Sequence, residues 1–243
     1  MCLLYGEGAT AIWCDTGSEH ALMYERIDYV EKMLTALHNG NFKLVRLRAS
    51  VTVEDDKVDS LTDYIIRRKF MPSPRQRFCT RLFKIKPIDD FLASQGDCEL
   101  MIGLNADEAD DRDGNHGLQP NVNYTYPLVT AGMDRTDCKE LLEAYGLLPD
   151  FPPYMDRGGC KFCPFKSKKE YRAMVHFAPG EIEEVRELEE YIQDNRNAYY
   201  RIRSNMPRLR DFISLEKNNL IGNLSQFYAA DSERKSCAVF CHR

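Results

Sequence analysis

Cys160 and Cys163 stand three apart in the run Gly159-Cys160-Lys161-Phe162-Cys163-Pro164-Phe165. Two thiolates at that spacing in a tight turn can ligate one metal ion or one edge of a cluster. The preceding glycines let the backbone bend, and the aromatics shield the site. The same spacing serves zinc, iron–sulfur clusters and thioredoxin-like redox pairs, and it also occurs as ordinary buried thiols. A second centre of interest is Cys79, which lies among Arg75, Arg77, Arg81, Lys84 and Lys86. That positive field is expected to lower the thiol's pKa, favour thiolate and attract phosphate or sulfate. A basic exposed helix start with an incidental cysteine is the plainer alternative.

Nine cysteines in 243 residues are the outlier of the composition. The N-terminus lacks a basic region followed by an apolar stretch, so no secretory signal is expected. A reducing, cytoplasmic setting follows, in which structural disulfides are not expected. The chain is 43% hydrophobic and 29% charged, enough for a sizeable core and a soluble surface. No apolar run approaches the ~20 residues of a membrane span, so no membrane partner is expected. A net charge of −5 argues against a general nucleic-acid coat, while leaving room for local basic clusters.

These cysteines need a scaffold. Ala9 to Cys14 reads as a buried strand ending at Asp15-Thr16-Gly17, and Glu19 to His38 as a helix stopped by Asn39-Gly40. Phe42 to Arg48 reads as a second strand, Val58 to Lys69 as a helix, and Leu100 to Leu104 as a third strand ending in an acidic loop. Alternating strands and helices predict an α/β fold: a parallel twisted sheet with flanking helices. Ligands of such sheets sit at the strands' carboxyl ends, where Asp15 and Asp107-Glu108 fall. The second half reads as helical. Asp134 and Asp137 open a helix to Tyr145, and Ser167 with Glu170 forms a capping box. Pro179 starts a long helix with Ile182, Val185, Leu188 and Ile192 on one face and a solvated, Glu-rich face opposite. After about residue 204 the pattern weakens. The expected division is a nucleotide-binding-like core over 1–130 and a helical region over 131–243, carrying the cysteine loop and a cysteine-containing tail.

The order of these motifs resembles the phosphoadenosine phosphosulfate reductase family, within the adenine nucleotide alpha-hydrolase-like superfamily. The segment Cys79-x-x-Arg-x-x-Lys-Ile-x-Pro-Ile88 is similar to the family's cluster segment, and Gly159-Cys160-x-x-Cys163 to its downstream cysteine pair. Asp15-Thr16-Gly17 resembles its Asp-Thr-Gly loop. Ile102-Gly103 through Asp107-Glu108 to Arg112 resembles phage-type and DNA-phosphorothioation relatives, and Tyr126-Pro127-Leu128 a further family segment. The resemblance implies an iron–sulfur cluster, 4Fe-4S, with zinc as the alternative, on Cys79, Cys160 and Cys163; of the remaining thiols the tail's Cys241 is favoured as the fourth ligand, and three cysteines that leave one iron open are the alternative. It also implies Asp15, Thr16 and Gly17 lining a nucleotide pocket, Arg81 and Lys84 binding anions, Arg112 reaching a phosphate and Glu108 orienting it.

The chain departs from the family in three places. It has no Ser-Gly-Gly-x-Asp-Ser phosphate loop, and Met1 to Gly8 resembles the helix that follows it. Either that strand and loop are missing through a late start, or phosphate-loop chemistry is lost. Phe78 stands where some reductases carry a first, adjacent cysteine. The tail keeps Lys235-Ser236-Cys237, but Ala238-Val239 replace Gly-Leu. Three expectations follow. The first is a reductase in which Cys237 is the nucleophile on an activated sulfate and a thioredoxin is the partner. The second is an ATP-dependent sulfur transferase modifying tRNA or DNA. The third is a catalytically degenerate binding protein.

Overall fold

A computed structural model describes residues 1–109, 119–156 and 159–218. Arg112, Cys237 and Cys241 therefore lie outside the described residues. After a short helix α1 (Cys2–Tyr5), β1 (Thr10–Asp15) runs parallel to β2 (Lys43–Arg48), in a register that sets Thr10 opposite Lys43 and Asp15 opposite Arg48. α2 (Ala21–Leu37) makes the crossover. It stops where expected, because Asn39 (φ 51°) and Gly40 (φ 84°) turn the chain left-handed.

Next comes a hairpin that the sequence reading missed, β3 (Val51–Val53) against β4 (Asp56–Val58), turned by Glu54 at φ 56°. Val58 belongs to this hairpin, so α3 (Leu61–Arg68) starts later than expected. Ser60 caps it, its hydroxyl accepting the Asp63 N–H at 3.0 Å. α4 (Phe78–Thr80) runs directly into a π-helical turn (Arg81–Ile85) and then α5 (Lys86–Ala93). The wide turn precedes Pro87, whose ring would crowd the carbonyl four residues back in a regular helix.

β5 (Cys98–Met101) pairs in parallel with β6 (Val122–Thr125), a strand absent from the sequence reading. Among the described residues the expected single parallel sheet is instead two separate parallel ladders. Both lay a face on α5. Ile12, Cys14 and Leu47 from one ladder and Leu100 and Val122 from the other share an apolar cluster with Ile88 and Leu92. The architecture is mixed α/β with short parallel ladders.

α6 (Pro127–Thr130) and α7 (Arg135–Ala144) follow. α7 opens with the capping box of Asp134 and Asp137, and α8 (Lys168–Phe177) with that of Ser167 and Glu170. α9 (Pro179–Asn195) buries Ile182, Val185, Leu188 and Ile192 as its spacing predicts. Its other face departs from expectation. Glu189 is fully buried and accepts the backbone N–H groups of Ile202 and Leu209 at 2.8 and 2.6 Å. It thereby ties α9 to α10 (Leu209–Asn218), a helix the sequence reading did not place. The largest core draws on both halves of the chain, with Leu61, Ile65 and Phe83 packed in one cluster with Met155, Tyr171 and Leu209. Among the described residues no helix is long and apolar enough to cross a membrane.

Candidate metal centre

The cysteine loop and the loop after β1 are built against each other. Glu19 and Cys160 form an isolated antiparallel bridge, and Lys161 N–H donates to the Ser18 carbonyl at 3.1 Å. Cys163 N–H turns back to the Cys160 carbonyl at 3.2 Å, and Lys166 N–H to the Cys163 carbonyl at 2.9 Å. Gly159, at φ +87°, supplies the left-handed entry that the bend requires. Thr16, fully buried, donates to Glu19 Oε1 at 2.9 Å and sits 3.4 Å from Cys160 Sγ. Cys160 Sγ in turn lies 3.7 Å from Glu19 Oε1.

The third thiol arrives on the other wall. In a regular helix Lys84 would lie about 140° around the axis from Cys79. The π turn, whose hydrogen bonds run i→i+5, brings the two nearer one face. Lys84 is surrounded by acidic groups. Burial alone would push its ammonium down, but Glu19 and the thiols of Cys160, Cys163 and Cys79 outweigh that and hold it above the ordinary lysine value. Residues far apart in sequence thus share one electrostatic neighbourhood.

The thiols themselves behave differently from expectation. Burial, then the neighbouring Cys163, holds Cys79 above the usual thiol value despite Lys84. The basic residues that surround Cys79 in sequence do not make it a ready thiolate, because desolvation outweighs their field. Burial and then Glu19 drive Cys160 well up, against Lys84 and the Thr16 hydroxyl. No three Cys, His, Asp or Glu side chains among the described residues are drawn tightly enough together to hold an ion as they stand.

Two observations bear on whether this neighbourhood fits a thiolate-bound metal or cluster. An anionic group on three thiolates needs compensating positive charge, and Lys84 is placed to supply it. Tyr171 is fully exposed to none of the solvent, and its hydroxyl has no hydrogen-bond partner among the described residues. Burial, then Cys163, pushes that phenol well up, so it stays a donor beside the cysteine. An orphaned buried donor next to a thiol suits an acceptor such as metal-bound sulfur.

A buried polar chain that the sequence reading missed supports the cysteine loop. His20 Nδ1 pairs with Glu181 Oε2 at 2.5 Å, and Lys166 Nζ lies 3.0 Å from His20 Nε2 and 2.7 Å from the Tyr154 carbonyl. Glu181 also accepts Ala21 N–H at 2.9 Å, capping α2 from a distant helix. Burial pushes His20 below its ordinary value although Glu181 pulls the other way, and burial likewise lowers Lys166. A neutral His20 that accepts from Lys166 and donates to Glu181 satisfies all three groups. The only sequence signal was polar residues at Glu19-His20 and Lys166 beside otherwise apolar or cysteine-bearing runs.

The remaining expected site residues scatter. Asp15 is spent inside the fold: Oδ1 accepts Gly17 N–H at 2.7 Å and the Tyr24 hydroxyl at 2.9 Å, and Oδ2 lies 3.8 Å from Arg48. Gly17, at φ +68°, is packed so that a Cβ would stand 2.7 Å from Ser60 Cβ. Asp15, Thr16 and Gly17 therefore form a clamp on the cysteine loop rather than the open wall of a nucleotide pocket. Arg81 is exposed and is not among the groups that act on Lys84. Glu108 ends a 3-10 turn (Ala106–Glu108) and is not among the groups that act on Lys84. Of the other cysteines, Cys14 is buried, donates to the Lys84 carbonyl at 3.4 Å and is pushed up to about 11 chiefly by burial.

Comparison with protein-family models, with curated proteins and with solved structures found no match to this chain.

Proposed function

We propose that the chain is a phosphoadenosine phosphosulfate reductase-like protein whose Cys79, Cys160 and Cys163 hold an iron–sulfur cluster for sulfur chemistry on an adenine nucleotide. The observation that carries the reading is the gathering of these three thiols around Lys84 from two distant segments. Cys241, outside the described residues, is the fourth ligand of this reading. Bound there, a cluster would supply electrons or an exposed iron beside an activated sulfur. Lys84 would offset its negative charge, the unpartnered Tyr171 hydroxyl would be free to donate to sulfur, and the surrounding core would exclude water.

One observation favours a second reading, a binding protein with a structural centre. The Asp15-Thr16-Gly17 loop, expected at a nucleotide, has its polar groups consumed within the fold. Anaerobic purification with an absorption spectrum and analysis of iron, sulfide and zinc tests the centre. A brown protein with iron and sulfide supports the cluster, and a colourless zinc protein overturns it. Sulfite release from activated sulfate with thioredoxin then separates the reductase from the binding protein. Sulfur incorporation into tRNA or DNA with ATP, without sulfite release, identifies a transferase.

A further inference from the structure

A cavity of about 940 Å³ opens on the side of α3 away from the hairpin. Five guanidinium groups line it: Arg68 at the end of α3, Arg75 and Arg77 in the following loop, Arg81 in the π turn, and Arg196 just past α9. Among the described residues no carboxylate lines it, although the chain carries 38 acidic residues against 33 basic ones. Arg67, one residue away, pairs with Asp56, as exposed arginines on an acidic protein usually can. Within the described residues no ion pair joins Arg68, Arg75 or Arg81 to an acid. Cations that stand together without an ion pair among the described residues, as Arg68, Arg75 and Arg81 do, raise one another's energy, and a polyanion relieves that cost.

Aromatic rings are interleaved with these cations. Phe70, Phe78 and Tyr64 form a run with ring centroids 5.8 and 5.3 Å apart, and Phe165 joins from the cysteine loop. Two arginines already stand over rings of this surface, Arg196 over Phe70 at 4.7 Å and Arg77 over Phe165 at 5.3 Å. Arg196 is held there by donating to the Arg68 and Lys69 carbonyls at 3.4 and 3.2 Å. Phosphate-binding cations alternating with ring faces in an open groove are what an unpaired strand engages, phosphates on guanidinium and bases on aromatic or guanidinium planes. A lone mononucleotide offers one base and too few charges to match five guanidiniums. A duplex hides its base faces.

We propose that this cleft binds single-stranded nucleic acid, its phosphates on Arg68, Arg75, Arg81 and Arg196 and its bases on the Phe70, Phe78 and Phe165 surface. The inference goes beyond the metal-centre reading and stands without it. The two sites nevertheless adjoin, because Phe78 and Arg81 flank Cys79 and Phe165 lies two residues past Cys163.

The test is fluorescence anisotropy of the full chain with labelled oligo(U) and oligo(dT) about 12 nucleotides long. The expected result is binding tighter than about 100 µM that weakens about 50-fold between roughly 50 and 200 mM salt, as neutralising about four phosphates requires. The exposed-residue variants Arg68→Ala and Arg75→Ala, with unchanged circular dichroism melts, should each weaken binding and lower the salt slope by about 0.7. Phe70→Leu, which keeps apolar volume but removes the ring, should cost about tenfold. The proposal is overturned by no binding of either oligomer, by equal or tighter binding of a duplex, by full competition from equimolar adenine mononucleotide, or by arginine variants that bind as the parent does. Cys160→Ser should leave strand binding intact while removing metal, so each reading can fail alone.

Discussion

Lys166 Nζ stands 3.0 Å from His20 Nε2, both side chains buried, directly beneath the cysteine loop. The contact requires an imidazole that accepts on Nε2, and the carboxylate of Glu181 on Nδ1 fixes that tautomer. The cysteine loop is thus anchored to the start of α2 and to α9 through one neutral ring.

That ring makes stability depend on pH. His20 is held below its ordinary value by burial, against the opposing pull of Glu181. In the unfolded chain it takes up a proton as pH falls below about 6.5, and in the folded chain it resists, so the unfolded state binds more protons there. Stability is full above about pH 6.5 and falls below it. Urea denaturation at about pH 7.5 and about pH 5.5 should show a loss of at most about 1.4 kcal/mol at the lower value. His20→Gln should flatten that difference. Equal stability of the parent protein at both values would show that the ring is free to protonate in place. The Glu181 carboxyl, held low by His20 and Ala21 N–H against its own burial, acts only at more acidic pH.

Gly17 and Gly40 form a matched pair. Both have positive φ, but a Cβ on Gly17 would stand 2.7 Å from Ser60 Cβ and 2.8 Å from Arg48 Nη2, while Gly40 has nothing within 4 Å. Gly40→Ala should cost about 1 kcal/mol from backbone strain alone. Gly17→Ala should cost about 2–3 kcal/mol more, and should loosen the clamp on Cys160. Thermal melts of the two variants decide it, and equal losses would refute steric closure at Gly17.

Glu189 offers one oxygen to each of two backbone donors, Ile202 and Leu209. Glu189→Gln keeps the shape but presents an amide N–H₂ to one of them. A buried donor then faces a donor, costing about 1–3 kcal/mol. Chemical denaturation measures the loss, and hydrogen exchange at Leu209 localises it. Unchanged protection at Leu209 would show that the helix start does not depend on this carboxylate.

The metal centre predicts selective losses among the cysteines. Cys79→Ser and Cys163→Ser should each lower bound metal severalfold, whereas Cys138→Ser, whose thiol donates to Asn105 Oδ1 at 3.6 Å outside the cysteine neighbourhood, should not. Lys84→Met should reduce retained iron or zinc and Lys84→Arg should largely restore it, because the role is positive charge. Metal-to-protein ratios check all four. Equal loss in Cys138→Ser, or none in Cys79→Ser, contradicts the ligand assignment.

Elements whose signals are local were legible in the sequence. The capping boxes at Asp134 and Ser167, the Asn39-Gly40 stop and the apolar stripe of α9 each follow from residues within a turn or two of one another. What escaped depended on partners elsewhere. β6 and the β3–β4 hairpin are strands of three or four residues, too short to show a period. Glu189 looked like one more solvated glutamate until the chain past residue 200 folded over it. The Cys79 thiol was misjudged for the same reason. Neighbours in sequence gave it a positive field, while neighbours in space gave it burial. The motif order put Cys79, Cys160 and Cys163 together as candidates with Lys84 beside them, and the structure adds that all three thiols act on the Lys84 ammonium from two distant segments.

The bridge between Glu19 and Cys160 also sets a timetable. Its two residues are 141 positions apart, so the chain must be synthesised past the cysteine loop before Glu19, Thr16 and Lys84 meet their sulfur partners. At about 5–20 residues per second that is a wait of roughly 7 to 28 seconds behind β1. Until then β1 and α2 can form, but the pocket of thiols has no far wall. Any metal delivered early would meet single cysteines rather than a site. The meeting of the β1 loop with the cysteine loop is the closing act of folding, and a chain interrupted before residue 160 carries the clamp without anything to hold.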